Sequence, residues 1–191
     1  MRSVLIVALL LLGGCATAPT QTRNACAIFD QRDGWINNWE KAAKATEREY
    51  GVPVSILMAT IYTESGFQPY ARPPRTKLLG FIPWKRQSSA YGYSQALDGT
   101  WESYQKDTGN WNARRTNFAD AIHFVGWYHN QSHTRNGIPL NDTYNLYLAY
   151  YSGHAGYSKG VWRSNSQVQR AAQRSANIAK SYAGQLNSCG R

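Results

Sequence analysis

The stretch ILMATIYTESGF, residues 56–67, sets one carboxylate, Glu64, after an apolar helical run and directly before Ser65-Gly66. A carboxyl in that setting can be partly desolvated, which disfavours its charged form and prepares a general acid at neutral pH. The same spacing also suits a solvated glutamate on the wet side of an amphipathic helix. From Ser65 through Leu97 there is not one Asp or Glu. A local pair of carboxylates is therefore absent, although the fold can still bring a distant acid to Glu64. Paired carboxylates are the usual apparatus of glycoside hydrolysis, with substrate-assisted enzymes the exception. Aromatic residues make up 13% of the chain and recur in SAYGYSQ and LYLAYYSG. Such rings suit sugar faces and equally suit a core.

Two rival chemistries are weaker. GYSQA at 92–96 imitates a nucleophile elbow around Ser94, but that elbow needs a strand–turn–helix within an α/β sheet. His129 and His133 stand one helical turn apart, as metal ligands on one helix face can. They lack the Glu and third ligand of an H-E-x-x-H site, so packed or surface histidines are the expectation. The residues call for no metal.

The elements that must position Glu64 read as mainly helical. Trp35, Trp39, Ala42/Ala43, Thr46 and Tyr50 recur at helical spacing, with Gly51 as the stop. Pro53 opens the run from Val54 to about Ser65. Asp98 is the expected cap of a helix through about Lys106, and Asn141 or Asp142 of one carrying YNLYLAYY. Phe118, Ile122, Val125 and His129 form another stripe, ending before Gly137 and Pro139. Val168, Ala171/Ala172, Ser175, Ile178/Ala179 and Tyr182 form the last. Between Pro69 and Ala90 neither period holds for long. That stretch, with four prolines, five basic residues and the apolar run Leu78–Trp84, predicts a long loop or small β-hairpin beside the cleft of Glu64.

ESGF at 64–67, AYGYSQALDGTW at 90–101 and AYYSG at 149–153 resemble, in order, the motifs of soluble lytic transglycosylases in the goose-type lysozyme-like superfamily. The family pattern is Glu-Ser, then Gly-Leu-Met-Gln followed by Thr, then Ala-Tyr-Asn-Ala-Gly. The resemblance spans roughly residues 53–156 and implies a mainly α, lysozyme-like domain. It implies Glu64 as sole catalytic acid/base and Ser65 as an orienting or substrate-bonding neighbour. Gly92 and Gln95 match the ends of the second motif, with Gln95 expected on the glycan, and Thr100 matches its structural threonine. Tyr150 is expected over the site. Tyr93 and Ser94 replace Leu-Met, and Tyr151 and Ser152 replace Asn-Ala. Tyr91, Tyr93 and Tyr151 complete the expected substrate-binding set.

What the resemblance implies chemically fits a lone acid. Glu64 would protonate the oxygen linking N-acetylmuramic acid (MurNAc) to N-acetylglucosamine (GlcNAc), and the muramoyl N-acetyl group would attack internally. The C6 hydroxyl would then close a 1,6-anhydro ring, without metal or organic cofactor. Two other readings stand beside it: a hydrolytic goose-type lysozyme, and a non-catalytic peptidoglycan-binding or envelope scaffold.

The ends of the chain set the compartment. Met1-Arg2 precede an apolar run from Val4 to Leu12 and then Gly13-Gly14-Cys15, too short for a permanent span and fitting a secretory h-region. LGGC resembles a lipoprotein lipobox. Residues 1–14 are thus expected as signal peptide, Cys15 as the lipidated N-terminus, 15–25 as a flexible tether and 26–191 as the domain. Ala16 suits an outer-membrane address facing the periplasm. Export implies an oxidising compartment, where a Cys26–Cys189 bridge is the economical pairing and two free thiols the alternative. A net charge of +10 suits a polyanion. Nucleic acid is disfavoured by export and by the lack of any recognised motif. Cell wall and anionic lipid remain, and an envelope-machine partner is left open.

Overall fold

A computed structural model describes residues 18–34, 38–78 and 82–191 of the 191-residue chain. The expected signal peptide, Cys15, Trp35 and residues 79–81 lie outside the described residues. In chain order the elements are α1 (Ala25–Arg32), α2 (Trp39–Tyr50), α3 (Val54–Ser65), β1 (Arg75–Leu78), β2 (Ile82–Arg86), α4 (Asp98–Thr108), α5 (Phe118–Asn136), α6 (Thr143–Ser152), α7 (His154–Ser158), a 3-10 turn (Val161–Ser164) and α8 (Ser166–Ser188). The architecture is mainly helical with one antiparallel hairpin, as expected of the lysozyme-like class.

The middle of the fold is α3, in which Val54 through Ile61 are all buried. A helix apolar on every side has to be enclosed, and α2, α5 and α8 enclose it, with α6 laid across α5 and α8. Polar side chains start the surrounding helices by accepting the free amides of their first turns. Asn38 takes Lys41 N at 2.7 Å, Asn117 takes Asp120 N at 3.2 Å, and Asp142 takes Asn145 N at 3.1 Å.

An aromatic cluster fixes the two loops that flank Glu64. Trp39 of α2 stacks on Phe118 of α5 with ring centroids 3.8 Å apart, and Phe67 and Tyr93 pack on that pair. Phe67 follows the end of α3 and Tyr93 lies in the second motif, so both are pinned to one hydrophobic block. Gly92 makes the close approach there: its φ is +76°, and a Cβ would sit 2.1 Å from the Arg115 carbonyl oxygen. Only glycine fits that position.

The chain ends are tied together. Cys26 and Cys189 form a disulfide between α1 and the end of α8, with Cα atoms 6.6 Å apart. Arg191 reinforces it by pairing with Asp30 at 2.6 Å and Glu40 at 3.3 Å.

Two expectations need correction. The tether expected over 15–25 is bound to the domain from Thr20 onward. The Thr20 amide donates to Gln31, Tyr182 donates to the Thr22 carbonyl, and Gln185 donates to the Arg23 carbonyl. Residues from Thr20 onward are therefore part of the domain surface. Asp98 is not the cap of α4 either, because Leu97 holds the cap position without a side-chain bond. The Asp98 carboxylate instead accepts Arg115 at 2.6 Å, an ion pair that outcompetes a capping bond to a neutral amide.

The disulfide closes a loop of nearly the whole domain, for which the chain-entropy model gives about 5 kcal/mol. Replacing both cysteines by serine should keep the helical circular-dichroism spectrum and lower unfolding stability in urea by about 3 to 5 kcal/mol. An unchanged urea midpoint would contradict the bridge.

Candidate active site

Glu64 sits in the last turn of α3, one residue before Ser65 and the left-handed Gly66 that ends it. Two things act on its carboxyl. Dense apolar packing removes water: Oε1 is inaccessible and has no hydrogen-bond partner among the described residues, although the side chain retains a little exposed surface. Against this, the hydroxyl of Tyr147 from α6 interacts with the carboxyl and favours its charged form. Desolvation wins, and the Glu64 pKa is raised from 4.5 to about 7. Among the described residues no cation contributes to that balance.

Tyr147 is a site residue that the motifs did not flag. It is 4% exposed, and burial together with the Glu64 charge holds its phenol well above the usual range. Its one visible signal was its place on the helix, three residues before Tyr150, so that both rings line one face of α6. Tyr150 follows one turn later on α6. Burial and then the Glu64 charge raise its phenol, and its hydroxyl donates to the Ser94 carbonyl at 2.6 Å. The third motif is thereby latched to the second beside the acid.

Below Glu64 the packing keeps the site free of positive charge. Thr60, one turn earlier, donates to Ile56 O at 3.0 Å, and its oxygen lies 2.9 Å from His129 Nε2. With the threonine hydrogen already used, Nε2 is assigned as the donor. Burial drives the His129 pKa down to about 3, so the ring is neutral. His133 serves elsewhere, 2.8 Å from the Ile138 carbonyl, so the two histidines do not share a site.

The remaining expected residues divide. Ser65 donates back to the Ile61 carbonyl at 3.2 Å and sits beside the acid without bonding it. Gln95 adopts a left-handed backbone at φ +51° and spends its amide hydrogens on Ala71 O at 2.9 Å and Gly92 O at 2.8 Å. That brace shapes the second motif from within. Tyr93 is corrected outright: at 2% exposure, wedged against Trp39 and Phe118, it is core. Tyr91 and Tyr151 are not core: Arg72 is laid over the Tyr91 ring at 3.9 Å, and Tyr151 is 59% exposed. Ser94 is fully buried, and its Oγ bonds no base among the described residues. Thr100 lies in the first turn of α4.

The arrangement is a single protonatable carboxyl, neutral at moderate pH, under two phenols and beside a loop braced by backbone bonds. It can deliver one proton to an ether-like oxygen and take one back.

A family model described as the transglycosylase SLT domain matches residues 3–189, nearly the whole chain. No curated protein matches it at a comparable standard.

Because Tyr147 stabilises the carboxylate, Tyr147→Phe should push the Glu64 pKa above about 7. Carbon-detected NMR titration of labelled glutamate carboxyls reads this directly. A downward shift would mean that the phenol does not donate to Glu64.

Proposed function

This chain belongs to the family of the transglycosylase SLT domain, and on that premise we propose that Glu64 is its single acid/base in cleaving the MurNAc-β-1,4-GlcNAc bond. The family's activity is lytic transglycosylation of peptidoglycan in the cell envelope. The finer reading rests on one observation above all: the Glu64 carboxyl is desolvated, faces no cation among the described residues, and has a pKa raised to about 7. That is the state a general acid needs near neutral pH.

The steps balance with this chain's own groups and the substrate's. Protonated Glu64 gives its proton to the glycosidic oxygen, and the C1–O bond breaks to release the GlcNAc side with a free hydroxyl. The carbonyl oxygen of the muramoyl N-acetyl group closes on C1 and carries the positive charge as an oxazolinium. The Glu64 carboxylate then removes the proton of the C6 hydroxyl. O6 attacks C1, the N-acetyl group is released, and a 1,6-anhydro-MurNAc end remains. Both attacks are intramolecular, which gives them a high effective molarity over water.

Around this step Tyr147 and Tyr150 set the pose of the acid, and Ser65 and the Gln95-braced loop form the adjoining wall. The rim rings of Tyr91 and Tyr151 offer faces to the strand. In the same reading the protein is exported, cleaved before Cys15 and held by lipid at the outer membrane facing the periplasm.

Glu64→Gln should abolish release of anhydro-muropeptides, read by mass spectrometry of digested sacculi, while the fold is retained. It should also change the pH dependence of stability in a defined direction. The folded carboxyl binds its proton more tightly than the unfolded one, so wild type loses stability as pH rises from about 4.5 through about 7. The glutamine variant does not. Above pH ~8 it should be the more stable protein, by on the order of 2 kcal/mol, and the gap should close near pH ~4. Persisting release of anhydro products by this variant would end the assignment.

A further inference from the structure

The last stretch of the chain carries cations and no anion to answer them. From Thr143 through Arg191 there is not one Asp or Glu, against six Lys and Arg. Arg191 pairs back to Asp30 and Glu40 near the disulfide. Arg163, Arg170 and Arg174 are exposed, and among the described residues none of the three enters an ion pair. Arg170 and Arg174 stand one turn apart on α8, where like charges weaken a helix unless something anionic joins them. Their place is beside the site. Tyr147 packs with Val168 and Ala172 of α8, and Trp162 of the 3-10 turn packs on the same small cluster. Arg163 lies over the Trp162 ring at 5.1 Å, and Gln169 ties that turn to α8 by donating to Trp162 O at 3.1 Å and Arg163 O at 2.8 Å. The Arg174 charge eases proton loss from the Tyr147 phenol, yet it takes no part in the balance at Glu64. Tyr151, exposed and one turn after Tyr147, acts on the same phenol. Arg174 and Tyr151 thus neighbour Tyr147 without reaching the acid.

We propose that Arg163, Arg170 and Arg174 form a ledge beside the cleft that holds the carboxylates of a muramoyl peptide stem, so that the protein prefers strands with charged stems. The proposal rests on the reading of Glu64 as the acid that cleaves peptidoglycan. N-acetylated sugars carry no charge of their own, whereas the stem brings free carboxylates. The stem also hangs from muramic acid, the sugar whose C1 the mechanism sets at Glu64. A guanidinium offers its donors in a fork that matches a carboxylate. The distance from the acid matters as much as the charge. A cation against Glu64 would hold the carboxyl ionised and spoil a general acid, while one beyond Tyr147 can take a substrate anion and leave the proton in place. The Tyr151 ring lies near enough to Tyr147 to offer a face between the strand and the ledge.

Binding is read on Glu64→Gln protein, which keeps strands whole, using soluble uncrosslinked glycan strands with native stems. A second preparation has its stem carboxylates capped as neutral methylamides. Adding Arg174→Gln should raise the Kd for native strands about fivefold, and Arg174→Lys, which keeps the charge and loses the fork, should fall between. On capped strands the two proteins should bind alike. Lys180 lies on the other flank of α8, in a groove with Ser55 and Asp142, so Lys180→Gln removes the same charge from the wrong side. Its Kd should stay within about twofold of the parent. An equal loss from Lys180→Gln would mean that net charge alone attracts the strand, and would overturn the ledge. An Arg174→Gln loss that persists on capped strands, or no loss on native ones, overturns it too. So does a variant that loses only its binding to vesicles containing phosphatidylglycerol, which would give these arginines to lipid. Release of anhydro-muropeptides by the protein with Glu64 intact is measured alongside, so a failed ledge and a failed Glu64 assignment are told apart.

Discussion

The carboxyl of Glu64 is an expensive thing to place at the end of an apolar helix, and much of the surrounding structure follows from making that tolerable. A buried, ionised carboxylate without a partner costs several kcal/mol, and proteins avoid the cost by letting the group keep its proton. In this fold the avoidance is built in. α3 is enclosed by α2, α5 and α8, the histidine beneath it is neutral, and the phenols of Tyr147 and Tyr150 lie near the carboxyl. Supplying a lysine or arginine would have stabilised the fold at neutral pH and ruined the acid. The chain carries +10 of formal charge, and among the described residues none of it enters the pKa balance of Glu64.

Holding the acid in place is a separate task, and it falls to the aromatic block and to the latch between motifs. Trp39, Phe118, Phe67 and Tyr93 bind the loop after α3 and the loop of the second motif to the same core. The Tyr150 bond to Ser94 O then joins the third motif to the second across the acid. Three stretches far apart in sequence are thus held as one rigid wall. The disulfide and the Arg191 pairs act at the other end of the molecule, where α1 and α8 meet. They secure the frame rather than the chemistry.

Much of this was legible in the residues, and the failures are instructive. The helices carrying Trp39, Val54, Phe118, Thr143 and Val168 were readable because burial imposes a period and because Asn, Asp and Gly mark the ends. Glu64 stood out as the candidate acid from the carboxylate-free stretch that follows it and from the two later motifs. Tyr147 was not, since its pairing with Glu64 depends on how α6 crosses the end of α3, a tertiary fact that periodicity does not encode. Tyr93 was misjudged for the same reason: an aromatic residue in a motif loop can face sugar or core, and the Trp39–Phe118 stack decides for core. Asp98 was misread because a local rule for caps lost to a distant arginine. The docking of residues 20–24 was hidden in an unremarkable polar stretch, as its partners, Gln31, Tyr182 and Gln185, lie on helices that only the fold brings near.

In the proposed mechanism one carboxyl and the substrate's own hydroxyl complete the reaction, with water taking no part in bond formation. Digestion of purified peptidoglycan in water labelled with heavy oxygen separates the possibilities directly. A lone-acid transglycosylase leaves every new muramic acid end as the anhydro form, free of heavy oxygen. A heavy oxygen atom at the anomeric carbon of the primary products would show that water is the nucleophile, and would contradict Glu64 as the base that activates the C6 hydroxyl.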